Sequence, residues 1–305
     1  MINNINKWEK LGRILTPDPQ INWLTYAGSA HAIKIKGNLY DVLVTGRDES
    51  NRSVIGKIKI KISDSINVLS IESKPTFQYG ELGAFDENGV SYPCVVKDKR
   101  TSYLYYTGWM PSILTPFQNH VGLAKWNGHS FIRISKAPIL ERNNDDYLST
   151  GSVFVMKENA KWHMWYTAFV KWENENGKIK HYYKIKYAES IDGINWKREN
   201  IVCIDFKNEN EYAICRPSVI KHNGMYHMYF CYRGDTYKIG YAYSKDGKKW
   251  EREDNLAGIN YSSSGWDSKE LCYPNIFQHK NQLYMLYCGN NYGKEGLGMA
   301  RLQLY

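Results

Sequence analysis

The chain has 305 residues, of which 43% are hydrophobic and 14% aromatic, with 25 Tyr and 10 Trp, and it carries a formal net charge of +9. No apolar run approaches the roughly 18 residues of a membrane-spanning helix, and the opening residues MINNINKWEK hold no apolar stretch of signal-peptide type, so a cytoplasmic protein without membrane contact is expected. The lysines are dispersed over strands and turns rather than gathered into a basic patch with stacking aromatics; this argues against a nucleic-acid partner and favours an anionic small molecule.

In chain order, the first predicted element is a short strand at 8–15, WEKLGRIL. Five copies of one phrase follow: an apolar strand, a polar turn, then an aromatic strand that in four copies ends on a small residue. The aromatic strands fall at 40–46, 102–108, 162–168, 226–232 and 283–289, and their ends recur every 57–64 residues. In the first copy, the alternation Lys57-Ile-Lys-Ile-Lys61 reads as a strand with one solvated face. The second copy continues through 123–126, an Asn127-Gly128 turn and 131–133; the third through 187–190, Asp192-Gly193 and 196–198. The fourth is the most complete. It runs 216–222, an Asn223-Gly224 hairpin, 225–232, 239–244, an Asp246-Gly247 turn and a last strand opened by Trp250. The fifth supplies 271–277, 283–289 and 297–302, but no fourth strand.

Four short strands in a repeat of this size make a propeller blade. The segment 8–15 resembles 196–198 and 250–252, so the N-terminal strand is expected to complete the last blade. The predicted fold class is therefore all-β: a five-bladed β-propeller forming a single domain over 1–305, closed by its own N-terminal strand. The six cysteines form no CxxC pair and sit in or beside predicted strands, which reads as buried free thiols rather than a disulfide or zinc framework. No cofactor and no metal are expected.

In such a fold the start of each first strand and the end of each second strand reach one rim of the channel, a concave place suited to a polar small molecule. These windows also hold Glu87, Asp146, Tyr147, Thr150, Lys171 and Trp172, and they nominate for the site His31 and Arg47; Asp86, Tyr92 and Trp109; Glu211, Arg216 and Arg233; and Trp266, Asp267, Glu270, Tyr273 and Asn290. Aromatic rings stack on sugar faces, arginines clamp carboxylate or phosphate, and carboxylates exchange protons with hydroxyl groups. Asp192 and Asp246 are set aside, because Asp in a Ser-x-Asp-Gly-x-x-Trp turn serves the backbone.

Through its Tyr-x-Met-Tyr/Trp-Tyr strands, its Ser-x-Asp-Gly-x-x-Trp turns and its Pro-containing channel strands, nearly the whole chain resembles the five-bladed propeller glycosidase superfamily. That group includes arabinanases and β-xylosidases, the invertase and levansucrase families, and mannoside phosphorylases. The resemblance implies inner-strand carboxylates acting as base or nucleophile, helper and general acid. The window 26–31 holds no carboxylate where an arabinanase-like base would stand, and 148–152 lacks the corresponding acid; only Asp86 lies at a comparable place. Asp86, Glu211 and Glu270 are accordingly the expected catalytic set, and the remaining rim residues the expected sugar-binding set. The expected function is a carbohydrate-active enzyme of glycoside hydrolase type acting on an intracellular sugar. Two alternatives stand beside it: a phosphorylase or transferase in which Arg47, Arg216 and Arg233 hold phosphate or a nucleotide-sugar diphosphate, and a sugar-binding propeller without turnover.

Overall fold

The computed structural model describes residues 7–303; residues 1–6, part of the segment searched for a signal, lie outside the described residues. The described chain is all-β, and none of its helices is long and apolar enough to cross a membrane. After β1 (Glu9–Leu15), the strands fall into five antiparallel groups. The first is β2 (Ala30–Lys36), β3 (Leu39–Arg47), β4 (Ser53–Ile62) and β5 (Ile66–Ile71). The second is β6 (Gly89–Asp98), β7 (Thr101–Pro111), β8 (Phe117–Trp126) and β9 (Phe131–Arg133). The third is β10 (Thr150–Glu158), β11 (Lys161–Glu175), β12 (Lys178–Ser190) and β13 (Lys197–Ile204). The fourth is β14 (Ala213–His222), β15 (Met225–Arg233), β16 (Tyr237–Ser244) and β17 (Glu251–Arg252). The fifth is β18 (Cys272–His279), β19 (Gln282–Cys288) and β20 (Leu297–Gln303), and its outer place is filled by β1, which pairs antiparallel with β20.

Local chemistry accounts for these elements. In β4, Ile58, Ile60 and Ile62 are buried while Lys59 and Lys61 are exposed, the period-two pattern of a half-buried strand. The β14–β15 hairpin turns on Asn223 and Gly224, both at positive φ (47° and 76°), which the Asn-Gly pair tolerates. Asp246 Oδ1 accepts from the amides of Lys248 and Lys249, and Asp192 Oδ1 from those of Ile194 and Asn195, all at 2.8 Å, so both aspartates organise their turns as expected. The first strands β2, β6, β10, β14 and β18 pack successively on one another, and β18 meets β2.

A buried ionic contact recurs between the inner and outer parts of the groups. Asp86, Asp146 and Asp267 each accept from the hydroxyl of a second-strand tyrosine 20 residues on: Tyr106 at 3.0 Å, Tyr166 at 2.8 Å and Tyr287 at 3.1 Å. Each also pairs with a base on its group's fourth strand: Arg133 at 2.7 Å, Arg198 at 3.1 Å and Lys10 at 2.6 Å. In the fourth group Glu211 takes Arg252 with both oxygens, at 2.8 and 2.9 Å, and Phe230 stands where the others have tyrosine. Lys10 thus does for the last group what Arg133, Arg198 and Arg252 do for theirs, the strongest local reason to treat β1 as that group's fourth strand.

The four groups after the first share a second device. Each first strand carries a bulge with one non-glycine residue in left-handed conformation: Tyr92 (φ 53°), Ser152 (28°), Arg216 (53°) and Tyr273 (57°). The amide of each donates to a side chain of the preceding group: to Thr45 Oγ1 (3.0 Å), Thr107 Oγ1 (2.7 Å), Ser152 Oγ (3.1 Å) and Cys231 Sγ (2.8 Å). Such backbones cost on the order of 1–3 kcal/mol each, and the neighbouring group holds them in place. A bulge re-aims its side chain, and here it does so along the inner strands.

Lys10→Met removes the partner of Asp267, whose side chain is 3% exposed. The expected loss is about 3 kcal/mol, the lower end of the cost of orphaning one member of a buried pair. Urea denaturation measures it, and an unchanged midpoint would show that β1 does not hold the fifth group.

Candidate active site

A cavity of about 380 Å³ opens where the ends of second strands and the bulges of first strands converge. Tyr92 and Tyr273, both bulge residues, line it in edge contact with ring centroids 5.3 Å apart. Arg47 at the end of β3 lies over the rings of Tyr26 (5.5 Å) and Trp109 (5.7 Å) and donates from Nη1 to Asn51 O at 2.7 Å. Trp109, at the rim end of β7, donates from Nε1 to Ser53 Oγ at 2.6 Å, which fixes the indole. Asn119 and Phe117 enter from the start of β8, and Tyr292 from the short turn after β19. Among the described residues, no Asp or Glu lines this cavity.

Beneath it lies Arg216, 1% exposed. Its Nη2 donates to Ala30 O (2.9 Å) and Pro93 O (3.1 Å), while Nε and Nη1 have no partner. The guanidinium carbon stands 5.9 Å from the centre of the Tyr92 ring. His31 is buried in the same layer. Ala32 N–H occupies Asn275 Oδ1 (3.0 Å), so the Asn275 amide nitrogen faces His31 Nδ1 (3.2 Å) and Nε2–H is left to donate to Val95 O (3.2 Å). That arrangement is neutral imidazole, and burial together with the Arg216 charge holds the ring down to about 3.

Glu270 precedes β18 and is buried; its Oε2 accepts from the Tyr292 amide at 3.1 Å. It forms no ion pair among the described residues, and burial raises its carboxyl against the opposing pull of backbone amides and Arg233. Arg233 is packed against the rings of Tyr212 and Tyr237, both 5.0 Å away, and donates to Tyr292 Oη (2.7 Å) and Asp235 O (3.1 Å).

Of the residues nominated from sequence, Arg47, Tyr92, Trp109 and Tyr273 line the cavity, Arg216 and His31 lie below it, and Glu270 and Arg233 stand behind Tyr292. The other five are placed differently. Asp86, Glu211 and Asp267 are the carboxylates of the inner-to-outer ion pairs, and none borders the cavity. Trp266 stacks on Tyr287 (5.3 Å) and covers Gly289 and Gly298 so closely that a Cβ on either would strike the indole. Asn290 orders its loop, accepting from the amides of Lys269 and Glu270. The expected catalytic trio therefore does not share this cavity. Tyr26, Asn51, Phe117, Asn119 and Tyr292 were not nominated. A signal for Phe117 and Asn119 existed, since the start of a third strand reaches the same rim as the end of the second it pairs with, as Pro111↔Phe117 does.

No family model matches the chain. Over 298 residues it is 35% identical to the uncharacterized Mycobacterium tuberculosis proteins MT1551 (strain CDC 1551 / Oshkosh) and Rv1502 (strain H37Rv), covering 97% of this chain and 99% of each of theirs. Among solved structures it is similar to a glycoside hydrolase (TM-score 0.75, 16% identity, covering 97% of this chain and 92% of that one). It is also similar to a putative glycosidase from Bacteroides thetaiotaomicron (0.71, 15%, covering 98% and 97%). A third similar structure comes from work on the GH130 mannoside phosphorylases and the hydrolases among them that target β-1,2-mannosidic linkages in Candida mannan (0.67, 14%, covering 99% and 95%). At these identities the likeness establishes the fold, that of the propeller-type glycoside hydrolases.

The buried histidines set a pH dependence. His31 and His120 are lowered by burial from 6.5 to about 3 and about 4, so between those values and 6.5 the unfolded chain binds more protons than the folded one. Stability is therefore full above pH 6.5 and falls as the pH drops, by about 2 kcal/mol per histidine at pH 5. Urea midpoints at pH 7.5 and 5.0 should show a smaller loss in His31→Gln than in the wild type. Equal losses would mean that His31 charges freely in the fold.

Proposed function

The chain belongs to the family of the Mycobacterium tuberculosis protein Rv1502, and we propose that it is a glycosidase-like enzyme that cleaves or transfers a glycosyl bond in the rim cavity of a closed, single-domain five-bladed propeller. The ring of first strands and the pairing of β1 with β20 support closure into five blades. Six buried free thiols suit a reducing compartment such as the cytoplasm.

The observation that carries the reading is the cavity itself. Two strained bulges supply Tyr92 and Tyr273, strand ends Trp109 and Asn119, and the connections Tyr26 and Asn51, in a fold shared with glycoside hydrolases. Rings offer apolar surface to sugar C–H faces, and amides and hydroxyls meet the sugar hydroxyl groups. Glycosyl transfer also needs a proton for the departing oxygen. Glu270 is the carboxyl suited to that role: burial favours its protonated form, it forms no ion pair among the described residues, and it accepts from the backbone amide of Tyr292, a residue of the cavity lining. Asp86 and Glu211, held by Arg133 and Arg252, act in this reading as structural ions.

A second reading, a propeller that binds sugar without turning it over, is favoured by the carboxylate-free lining. A panel of aryl glycosides and oligosaccharides, assayed with and without inorganic phosphate, separates the two. The enzyme reading expects product from the wild type, a kcat lowered about 100-fold or more in Glu270→Gln, a raised KM in Trp109→Ala, and little change in melting for either variant. Full turnover by Glu270→Gln would remove the acid assignment. Ligand-induced stabilisation with no product from the wild type would establish the binder instead.

A further inference from the structure

Resting on the reading of the cavity as a sugar site, we propose that its ligand carries an oxyanion, a phosphate or a carboxylate, and that Arg47 in the wall and Arg216 beneath the floor select that charge. Arg216 is a permanent cation buried without a counter-ion. It meets two backbone carbonyls, and two of its three nitrogens meet nothing. Burying an ion in this way is unfavourable unless an opposite charge comes close.

The surrounding protein supplies none. His31 is neutral by its hydrogen bonds. Burial lifts the Cys94 thiol to about 11, and raises Cys231, Tyr92 and Tyr273 well above their ordinary values, so these groups remain protonated. Asp86, Asp146, Glu211 and Asp267 are each occupied by a base of their own group, and Glu270 lies behind Tyr292. Tyr92, whose ring centre lies 5.9 Å from the Arg216 guanidinium carbon, lines the cavity, and among the described residues that lining adds a second guanidinium, Arg47, and no carboxylate. Arg47 is pre-positioned between two rings and uses only Nη1 within the protein, which leaves Nε and Nη2 for a ligand. A neutral sugar gains nothing from this field. An oxyanion supplies the missing charge, contacts Arg47 directly and feels Arg216 across the tyrosine floor, so Arg216 is a specificity residue that does not touch the ligand.

The test uses the full chain and four probes, glucose, glucose 1-phosphate, glucuronate and inorganic phosphate, with affinities from calorimetry or ligand-dependent melting. The wild type should bind at least one anionic probe tenfold or more tighter than glucose. Arg47→Met and Arg216→Met should each lower the ratio of anionic-probe to glucose affinity about tenfold, and Arg216→Lys should keep most of it. If Arg216→Met does not fold, Arg216→Lys and Arg47→Met decide. Tight binding of inorganic phosphate that competes with glucose 1-phosphate identifies a separate phosphate as the source of the charge. Binding of glucuronate or glucose 1-phosphate that phosphate does not displace identifies a charge borne by the sugar. Glucose binding as tightly as every anion, a preference that survives Arg47→Met, or no binding of any probe would overturn the proposal. Anion binding without turnover of any glycoside would leave it standing and overturn only the enzymatic reading.

Discussion

Four buried carboxylates, Asp86, Asp146, Glu211 and Asp267, are each neutralised by a base from the outermost strand of the same group, and three are also held by a second-strand hydroxyl. Each contact ties the entrance of an inner strand to its group's outer edge. A carboxylate taken out of water is strongly destabilising when its partner is lost, so the four outer strands cannot detach without cost. That matters most where the outer strand is shortest or most distant in sequence. Residues 251–252 are all there is of β17, and Lys10 reaches Asp267 across almost the whole length of the chain.

With the inner strands anchored from outside, their bulges can be held in left-handed conformations that an isolated strand would relax. Tyr92 and Tyr273 are turned to the cavity by these backbones, and Arg216 is fixed below by a third. The cross-group bonds from their amides mean that each bulge is supported by its neighbour, so the floor of the cavity is a property of several strand groups rather than of one loop. Rigid elements of this kind hold polar groups more accurately than loops do. The walls draw on more varied elements, since Arg47 ends β3 while Asn51 and Tyr292 come from the connections.

The strand order and the pairing of β1 with β20 were legible because hydrophobic alternation, Asn-Gly turns and the aromatic second strands are local signals. The match of Trp8-Glu-Lys10 to Trp250-Glu-Arg252 pointed to the right partner for the N-terminal strand. The carboxylates were harder. Asp86 and Glu270 look alike in sequence, but one pairs with Arg133, 47 positions away, while the other accepts from the Tyr292 amide and feels Arg233 only at longer range. That difference is tertiary. The repeated spacing of 20 between Asp86 and Tyr106, Asp146 and Tyr166, and Asp267 and Tyr287 was present in the sequence, and periodic recurrence is itself a mark of architecture. Arg216 departs from the repeat: it is the one charged residue among the bulge positions, where the other groups carry Tyr92, Ser152 and Tyr273.

Four buried acids are met by bases of their own groups, whereas the Arg216 guanidinium, buried beside the cavity lining, meets no carboxylate among the described residues. A crystal structure of the full chain soaked with glucose 1-phosphate tests most directly whether a ligand's oxyanion answers that charge. The sugar is expected in the rim cavity against Trp109 and Tyr26, with its phosphate on Arg47 and directed over the Tyr92–Tyr273 floor toward Arg216. Ligand density on another face of the molecule, or an empty cavity at saturating ligand, would contradict it.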